Sequence, residues 1–362
     1  MTATGLGRTL LLVLVWLLAL ALVFLTFLPL WDTNFWWVRA LGFPRLQIAV
    51  AAIAVLVPAL LLRGASRAVV VILLVAACGY QLHRIYPYTP FATVEMSFAD
   101  DGPAAVKVLS SNVLMENDRH QMLIDVITRF DPDILLLMEV DRTWLAALEP
   151  VLATYSTVVR EPRDDHYGML FATRLDVAEA RIVYLTSSDT PSLFAQLSAP
   201  DGTPFRFVGL HPRPALPGVS TRQRDAQIRY AARFAKQSGV PLISTGDFND
   251  VAWSDTSQTF KHVGEYLDPR IGRGIYASFD AERWWLRFPI DQLYVTPDIA
   301  VVSIERLPYI GSDHFPIGAT VRIAPALAAR LNISPPPLTE AEQDEIDASV
   351  ARSREELQEP RP

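Results

Sequence analysis

An uninterrupted apolar run near the amino terminus constrains the fold of this chain more than any other sequence feature. Residues 10–30 contain no charged side chain, and a helix of that length crosses the ~30 Å hydrocarbon core of a bilayer. A secretory signal peptide is the alternative, but its apolar core is usually only ~7 to 15 residues long, and no small-residue cleavage site precedes Trp31. We therefore predict a membrane-spanning helix over residues 10–30.

Two further apolar runs, 46–62 and 68–82, are shorter and richer in Ala and Val. We predict that they also span the membrane, with a re-entrant or interfacial pair as the alternative. The apolar excess of the chain lies almost entirely in these first 90 residues. Residues 1–90 are thus predicted to be a membrane anchor of about three transmembrane helices, with the lipid bilayer as their partner.

The sidedness of the anchor follows from its arginines. Arg8 precedes the first apolar run, and Arg63 and Arg67 lie between the second and third. Positive charge prefers the cytoplasmic side, which predicts a cytoplasmic amino terminus and, after three spans, an extracytoplasmic remainder. Arg39 and Arg45 fall in the opposite loop and weigh against that orientation.

From residue 91 the pattern changes to short apolar runs separated by polar turns and helical stretches, which indicates a separate domain over residues 91–325. Helical spacing predicts helices over 120–130 and 222–237. Many strands with few helices indicate two packed sheets flanked by helices, an α/β sandwich. The predicted strands are 106–111, 134–140, 169–173, 182–185, 205–210, 242–245, 292–295, 301–304 and 317–321.

Residues 326–362 are Pro-rich and then acidic, which predicts a linker and a disordered tail. The only cysteine, Cys78, falls in the third apolar run, so an intramolecular disulfide is excluded.

Polar residues of catalytic type stand at the ends of the predicted strands. Layered α/β folds build their sites there because a rigid sheet aims the side chains into one cleft. Each residue alone has a structural interpretation, such as a turn aspartate or a hydrogen-bonded core histidine. It is the set that predicts a site, and its members are Asn112, Glu139, His211, Asp247, Asn249, Asp291, Asp313 and His314.

The chemistry of this set suits hydrolysis of phosphodiesters or phosphomonoesters. Glu139, Asn112 and Asp313 offer hard oxygen ligands of the kind that Mg²⁺ or Mn²⁺ accepts. The histidine of Asp313-His314 can donate to a phosphoryl oxygen, while a second carboxylate orients a ring or activates water. Catalysis would then rest on positioning and charge stabilisation.

At these residues the sequence resembles the endonuclease/exonuclease/phosphatase superfamily, which has the DNase I-like fold. The resemblance covers residues 106–321 and follows the family order of elements. It implies a four-layer αββα sandwich, here preceded by transmembrane helices, as in a bacterial inner-membrane branch of the family. The matching elements are Ser-Ser-Asn112, Leu-Leu-Met-Glu139, Gly-Leu-His211-Pro, Gly-Asp247-Phe-Asn249-Asp, Pro-Ile-Asp291-Gln-Leu and Gly-Ser-Asp313-His314-Phe-Pro.

The resemblance also implies roles for these residues. Glu139 and Asn112 would hold the catalytic divalent metal, and Asp313 would support the metal or the neighbouring histidine. Asp247 would activate or orient the attacking water. His314, oriented by Asp291, would donate to a phosphate oxygen. Asn249 would stabilise the pentavalent phosphorus, His211 would contact the phosphate, and a further site residue would be Asp165 or Tyr167.

The substrate class stays open at the level of the sequence. Residues 91–322 hold 22 Lys and Arg against 30 Asp and Glu, a net charge of −8, whereas a nonspecific nuclease binds phosphates through a basic face. Trp284 and Trp285, beside Arg283 and Arg287, could form an aromatic rim or pack in the core.

We predict a membrane-anchored, metal-dependent, nuclease-like phosphodiesterase without an obligate protein partner. The alternatives are a lipid-headgroup or small-molecule phosphodiesterase or phosphatase and, in another class, a catalytically silent membrane-tethered binding module. Transport by the apolar helices is disfavoured because their apolar stretches carry no Asp, Glu or Lys.

Overall fold

A computed structural model of the chain describes residues 3–186, 190–236, 239–344, 346–348 and 351. The chain divides into two compact units. The first consists of the residues up to Ala92 together with Ala215–Ser220, and the second consists of Thr93–Pro214 and the residues from Thr221 onward.

The first unit is helical. Its three long helices pack through small and branched apolar side chains, among them Val15, Ala19, Ala52 and Leu74. Many other apolar side chains of these helices face outward, including Leu17, Val57 and Ile72. The helices are α1 (Ala3–Phe27), α2 (Trp36–Ala40), α3 (Arg45–Ala59) and α4 (Gly64–Ile85).

Two segments of this unit are long and apolar enough to cross a membrane, Thr9–Leu30 with 22 residues and Gly64–Tyr88 with 25. The second predicted span, residues 46–62, differs, because α3 has only 15 residues. At ~1.5 Å per residue it is about 22 Å long, short of the ~30 Å hydrocarbon core. The structure therefore gives two helices of spanning length where the sequence predicted about three.

A buried polar chain joins the three long helices. Arg45 opens α3 and is buried, and its Nη1 donates to Oε1 of Gln81 at 3.0 Å. The Gln81 amide donates in turn to the Thr26 hydroxyl at 3.1 Å. Arg45 is thus an interior residue of the helical unit and not a solvated loop charge. It therefore counts less against the predicted cytoplasmic position of the amino terminus.

The second unit contains two mixed sheets. The six-stranded sheet has the order β10-β11-β1-β2-β4-β3 and the five-stranded sheet the order β5-β6-β7-β8-β9. The strands are β1 (Ala105–Asn112), β2 (Ile134–Met138), β3 (Thr157–Glu161), β4 (Met169–Thr173), β5 (Asp176–Tyr184), β6 (Pro191–Ser198), β7 (Pro204–Leu210), β8 (Leu242–Asp247), β9 (Asp291–Val295), β10 (Ala300–Arg306) and β11 (Ile317–Arg322).

Each sheet has a parallel pair of strands that ends at the site. β1 pairs with β2 in parallel, in a register that sets Asn112 opposite Met138, the residue before Glu139. In the other sheet β7 pairs with β8 in parallel, while β8 and β9 are antiparallel with Asp247 opposite Asp291. The carboxyl ends of β1, β2, β7 and β8 thereby carry four of the predicted site residues.

The layers follow from where the apolar side chains lie. Val108, Leu136 and Phe171 of one sheet pack against Phe207 and Leu293 of the other. Helices α5 (His120–Phe130) and α6 (Arg142–Leu152) cover the outer face of the six-stranded sheet, and α7 (Arg222–Lys236) and α8 (Asp255–Val263) cover that of the five-stranded sheet. The predicted αββα sandwich is confirmed.

Several elements differ from the prediction. Strands β3 and β6 were not predicted, because residues such as Arg160, Gln196 and Ser198 interrupt their apolar pattern. Helix α6 contains Pro150, which obscures its helical pattern. Helix α8 was missed although Ser254 provides a side-chain cap by accepting from the Ser257 N–H at 3.0 Å.

The predicted tail of residues 326–362 is corrected at its start. Helix α9 (Pro325–Leu331) packs Ala328 against Ala99 and Ala300, and the Asn332 amide donates to the Pro297 carbonyl at 2.8 Å. Further along, a helical turn begins where Glu342 accepts hydrogen bonds from Thr339, the capping-box arrangement. Apolar burial and capping thus order segments that the overall composition suggested were disordered.

The turn after β8 is fastened by a buried arginine. Arg224 of α7 forms ion pairs with Asp225 (2.9 Å) and Asp250 (3.1 Å), and its Nη1 donates to the Asn249 carbonyl at 3.2 Å. All three charged groups are buried. A long side chain from the helix layer therefore fixes the backbone of the Asn249 turn.

We expect Arg224→Met to lower the free energy of unfolding by about 3–5 kcal/mol, because it leaves Asp250 buried without its charge partner. Urea unfolding followed by tryptophan fluorescence measures the change. Arg222→Met, an exposed position on the same helix, is the matched control and should change stability by less than about 0.5 kcal/mol. Equal losses of stability in the two variants would contradict the role of Arg224 in fixing the Asn249 turn.

The two sheets come close together at Gly209 of β7, where an added Cβ would lie 2.8 Å from a Leu136 methyl group of β2. Gly209→Ala should cost about 1–3 kcal/mol by overpacking, and Leu136→Ala about 2–5 kcal/mol by leaving a cavity. The double variant should lose less than the sum in a double-mutant cycle, because the new methyl occupies part of that cavity. If the two losses in free energy of unfolding were strictly additive, the side chains at the two positions would not be in contact.

Candidate active site

Asn112 joins the two sheets at the site. This buried side chain, at the end of β1, donates from Nδ2 to Glu139 Oε1 at 2.8 Å and to Asp247 Oδ2 at 3.2 Å. Its Oδ1 accepts from the Leu114 N–H at 3.0 Å. In this orientation a donor nitrogen, not an oxygen, faces the carboxylates. Asn112 therefore positions Glu139 and Asp247, and to serve as the predicted metal ligand its amide would have to turn over.

Glu139 follows β2 with a left-handed backbone, φ +62°, a conformation that non-glycine residues rarely adopt outside constrained sites. Its side chain is 14% exposed, so the carboxylate reaches solvent from a largely buried base. Burial alone would raise the pKa of Glu139, yet the pKa is lowered because His211 and the hydrogen bonds from Asn112 and His166 outweigh it. The group is held as a carboxylate.

His314 and Asp291 form a buried dyad. Nδ1 of His314 lies 2.7 Å from Oδ2 of Asp291, and its Nε2 lies 3.6 Å from Oδ2 of Asp247. Burial would lower the pKa of His314, but the charges of Asp291 and Asp247 raise it to about 10. The imidazole is thus cationic at neutral pH and carries a proton on the nitrogen that faces Asp247.

Asp247 is the most confined carboxylate of the site. Its Oδ1 accepts from the Asn249 N–H at 2.8 Å, and its Oδ2 faces Asn112 and His314. Burial raises the pKa of Asp247 to about 7, against the opposing charge of His314. A carboxyl group that titrates near neutrality can both take up and release a proton.

His211, at the end of the β7 strand, is buried with Nε2 3.9 Å from Asp247 Oδ2. Burial lowers the pKa of His211 to about 4, so the ring is neutral at physiological pH. Its other face packs on Tyr167, with the ring centroids 5.5 Å apart. His211 therefore offers neutral ring nitrogens beside the charged groups Asp247 and His314.

Asn249 sits in the turn after β8 with φ +49°. Its amide Nδ2 donates to the Pro212 carbonyl at 2.9 Å, which ties the turn to the segment after β7. Together with the hydrogen bond from Arg224 to the Asn249 carbonyl, this contact fixes the Asn249 side chain at the end of β8. Asn249 is therefore a rigid amide beside Asp247.

Asp313 precedes His314 in the chain and lies beside the dyad. Its side chain is 32% exposed, and Oδ1 lies 4.0 Å from His314 Nε2. Burial and the nearby charge of Glu139 raise the pKa of Asp313, against the charge of His314. Two carboxylates that repel each other at a solvent-open edge are a setting in which a bound cation relieves the repulsion.

The hydroxyl of Ser312 connects β1 with the histidine loop. It donates to the Asn112 carbonyl at 2.9 Å and accepts from the His314 N–H at 3.0 Å. On the other side Ser278 accepts from the Asp291 N–H at 3.2 Å, and the Phe279 ring packs on His314 at 4.9 Å. These supports were not predicted; only Ser312 carried a signal, as part of the Ser-Asp-His element.

The segment from Arg163 to Gly168 supplies further site residues. Of the two predicted alternatives, Asp165 is engaged with Arg163 by an ion pair of 2.5 Å, while Tyr167 packs on His211. The residue between them was overlooked. His166 Nδ1 lies 3.1 Å from Glu139 Oε2, directly beside the carboxylate.

Two groups of side chains among the described residues have the composition of a cation site: Glu116, Glu139 and His166, and the buried group of Asp247, Asp291 and His314. In the buried group His314 Nδ1 already pairs with Asp291, and the raised pKa of His314 favours a proton on its Nε2, which disfavours a cation there. The group around Glu139 is open to solvent and offers a carboxylate held in its charged form. A divalent metal fits there.

Comparisons with known proteins agree with this geometry. The family model described as "Endonuclease/Exonuclease/phosphatase family" matches residues 109–314. No curated protein matches the sequence of the chain.

Several solved structures are similar to this chain. The human Nocturnin catalytic domain, with a bound sulfate anion, is 17% identical over 62% of this chain and 97% of that one, with a TM-score of 0.50. D. rerio TDP2, complexed with a single-strand DNA product, is 17% identical over 60% of this chain and 99% of that one, with a TM-score of 0.49. A family protein from Bacteroides thetaiotaomicron is 19% identical over 61% and 98%, with a TM-score of 0.49.

The matched segment begins in β1, ends on His314 and contains every residue of the site described above, over more than half of the chain. The chain therefore belongs to the endonuclease/exonuclease/phosphatase family and is a hydrolase of phosphoester bonds.

Proposed function

We propose that the chain is a membrane-anchored, divalent-metal-dependent phosphodiesterase with a nuclease-like site. The observation that carries the proposal is the convergence of the His314–Asp291 dyad and the Asp247 carboxylate, with Nε2 of His314 3.6 Å from Asp247. An imidazolium and a carboxylate that converge on one cleft can supply a proton acceptor to an attacking water and a proton donor to a neighbouring phosphoryl oxygen.

Each residue of the site has a role that its contacts permit. Asp247, held by Asn112 and by the Asn249 N–H, orients the attacking water and takes its proton. His314, fixed by Asp291, donates to a phosphoryl oxygen and neutralises charge that develops there. His211 and the Asn249 amide add neutral hydrogen bonds to the phosphate oxygens.

Glu139 and Asp313 would hold the metal, Mg²⁺ or Mn²⁺, with Asn112 as the residue that orients Glu139. When bound, the cation supplies Lewis-acid charge stabilisation to the phosphate. The raised pKa of Asp313 beside Glu139 supports this assignment, because two close carboxylates are more stable with a cation than without one.

The substrate is a phosphodiester with a surface-accessible backbone or headgroup. The domain is acidic, which disfavours nonspecific binding of duplex DNA through a broad basic face. Trp284 and Trp285 are both more than half exposed, and the same loop donates from the Ala281 N–H to the Asp313 carbonyl at 2.7 Å. An exposed aromatic pair next to the site favours stacking on unpaired bases of single-stranded nucleic acid.

A lipid headgroup is the second candidate. The same exposed Trp pair with Arg283 suits the interface of a bilayer, and the chain has two helices of spanning length. A catalytically silent binding module would not need the His314–Asp291 dyad. Hydrolysis assays distinguish it from a nuclease-like enzyme and from a lipid-headgroup phosphodiesterase.

The purified chain in detergent should hydrolyse at least one substrate from a panel of single-stranded DNA, plasmid DNA, phospholipid vesicles and a bis-aryl phosphodiester. A chelator should abolish turnover, and Mg²⁺ or Mn²⁺ should restore it. His314→Ala should lower kcat/KM by about 10²–10⁴-fold, because the proton donor is lost.

His262→Ala removes a histidine remote from the site and should leave the rate unchanged. Cleavage of single-stranded DNA alone supports the nuclease-like proposal, and cleavage of vesicle lipid alone supports the second candidate. A folded protein that turns over none of the four substrates would favour the silent module.

We also propose that residues 1–90 anchor the chain in the cell (inner) membrane as a multi-pass segment, with the 91–325 domain on the extracytoplasmic side. Outward-facing apolar side chains on α1 and α4 support insertion. The orientation requires α3 to cross as a short third span, since two crossings would return the domain to the side of the amino terminus.

The chain should stay with membranes after alkaline carbonate extraction, and a variant without residues 1–90 should be released. A reporter that is active only outside the cytoplasm, fused after residue 325, should be active. Activity of a cytoplasm-only reporter at that position would show that α3 does not cross. Release of the full chain by carbonate would overturn the anchor itself.

A further inference from the structure

We propose that Glu116 and His166 join Glu139 as ligands of the divalent cation, so that the site prefers a first-row transition ion such as Mn²⁺ to Mg²⁺. The inference rests on the metal dependence proposed above. It adds two ligands that neither the sequence motifs nor the family match assigned.

The three side chains already have the spacing of ligands around one ion. One atom from each lies within 4.8 Å of the others. The individual separations are 3.1 Å between His166 Nδ1 and Glu139 Oε2, and 3.3 Å between His166 Nε2 and Glu116 Oε1. Ligand atoms ~2.0–2.2 Å from a metal lie about 3 Å apart when adjacent. Because the two separations involve different ring nitrogens, the imidazole bridges the two carboxylates, and a cation would bind after the exposed His166 ring turns so that one nitrogen faces it together with both glutamates.

The loop that carries His166 is fastened to the strand end that carries Glu139. The Val140 N–H donates to the Gly168 carbonyl at 3.3 Å, and the Arg163 N–H donates to the Val140 carbonyl at 3.1 Å. A Cβ at Gly168 would lie 1.9 Å from the Val140 oxygen, so only glycine permits this approach. The backbone thus presets the distance between the His166 ring and Glu139.

The loop that carries Glu116 is tied to the same carboxylate. The N–H of Met115, its neighbour, points to Glu139 Oε2 at 3.4 Å, and Leu114 is held in a left-handed conformation with φ +58°. Glu116 and His166 are 59% and 48% exposed, against 14% for Glu139. Glu139 is therefore held in the protein interior while Glu116 and His166 face solvent. This arrangement leaves coordination positions for water and a substrate oxygen.

A histidine nitrogen changes the expected metal preference. Oxygen-only sites suit Mg²⁺, which dehydrates reluctantly, whereas imidazole suits first-row transition ions. Mn²⁺ accepts both carboxylate and imidazole ligands, so a histidine added to the carboxylate ligands should make the site bind Mn²⁺ more tightly than Mg²⁺. The alternative is that His166 forms surface ion pairs with the two glutamates and binds no metal.

The test is Mn²⁺ binding to the full-length chain in detergent, followed by electron paramagnetic resonance. We expect Mn²⁺ to be displaced only by at least about a tenfold excess of Mg²⁺, and its echo modulation to show a directly bound ¹⁴N nucleus. His166→Asn should remove the nitrogen signal and weaken Mn²⁺ binding by about 10- to 100-fold, with a smaller effect on Mg²⁺. Glu116→Gln should weaken both ions, and His262→Asn serves as the control.

The outcomes separate this inference from the proposed function. A nitrogen signal that disappears in His166→Asn alone establishes the ligand. Binding of Mn²⁺ and Mg²⁺ with an unchanged ratio in His166→Asn would overturn the inference while leaving a metal-dependent phosphodiesterase intact. A chain that binds neither ion would overturn the metal dependence together with the inference.

Discussion

The face-to-face packing of the two sheets is the constraint on which the site depends. Asn112 and Glu139 come from the six-stranded sheet, and His211, Asp247 and Asp291 come from the five-stranded sheet. The amide of Asn112 bridges the two groups by donating to Glu139 and to Asp247. Since a shift of one sheet by about 1 Å would stretch these hydrogen bonds beyond their usual range, the close contact at Gly209 and Leu136 serves the chemistry as well as the core.

Charge is distributed within the site by burial. The innermost carboxylate, Asp247, has a raised pKa, and the adjacent His314 is kept cationic by Asp291. Glu139, closer to solvent, stays ionised. One cleft can therefore hold a proton acceptor, a proton donor and a metal-binding carboxylate side by side, because each has a different depth and different partners.

The position of these polar residues at strand ends could be predicted from the sequence because strand ends have a local signature, an apolar run followed by a polar residue. Asn112, Glu139, His211 and Asp247 carry that signature. His166, Glu116 and Arg224 do not, since their positions depend on loops and a helix that meet the strands only in the folded chain. Composition also misled for Pro325–Leu331, where packing on Ala99 and Ala300 orders a segment assigned to a disordered tail.

The proposed hydrolysis requires a divalent cation and a phosphoryl group to meet between Glu139 and His314. Anomalous diffraction from crystals of the chain grown with Mn²⁺ and a non-hydrolysable phosphodiester observes both directly. We predict one strong anomalous peak beside Glu139 and a phosphate oxygen within hydrogen-bonding distance of His314 Nε2. A phosphodiester bound elsewhere, or Mn²⁺ bound away from Glu139, would contradict the account.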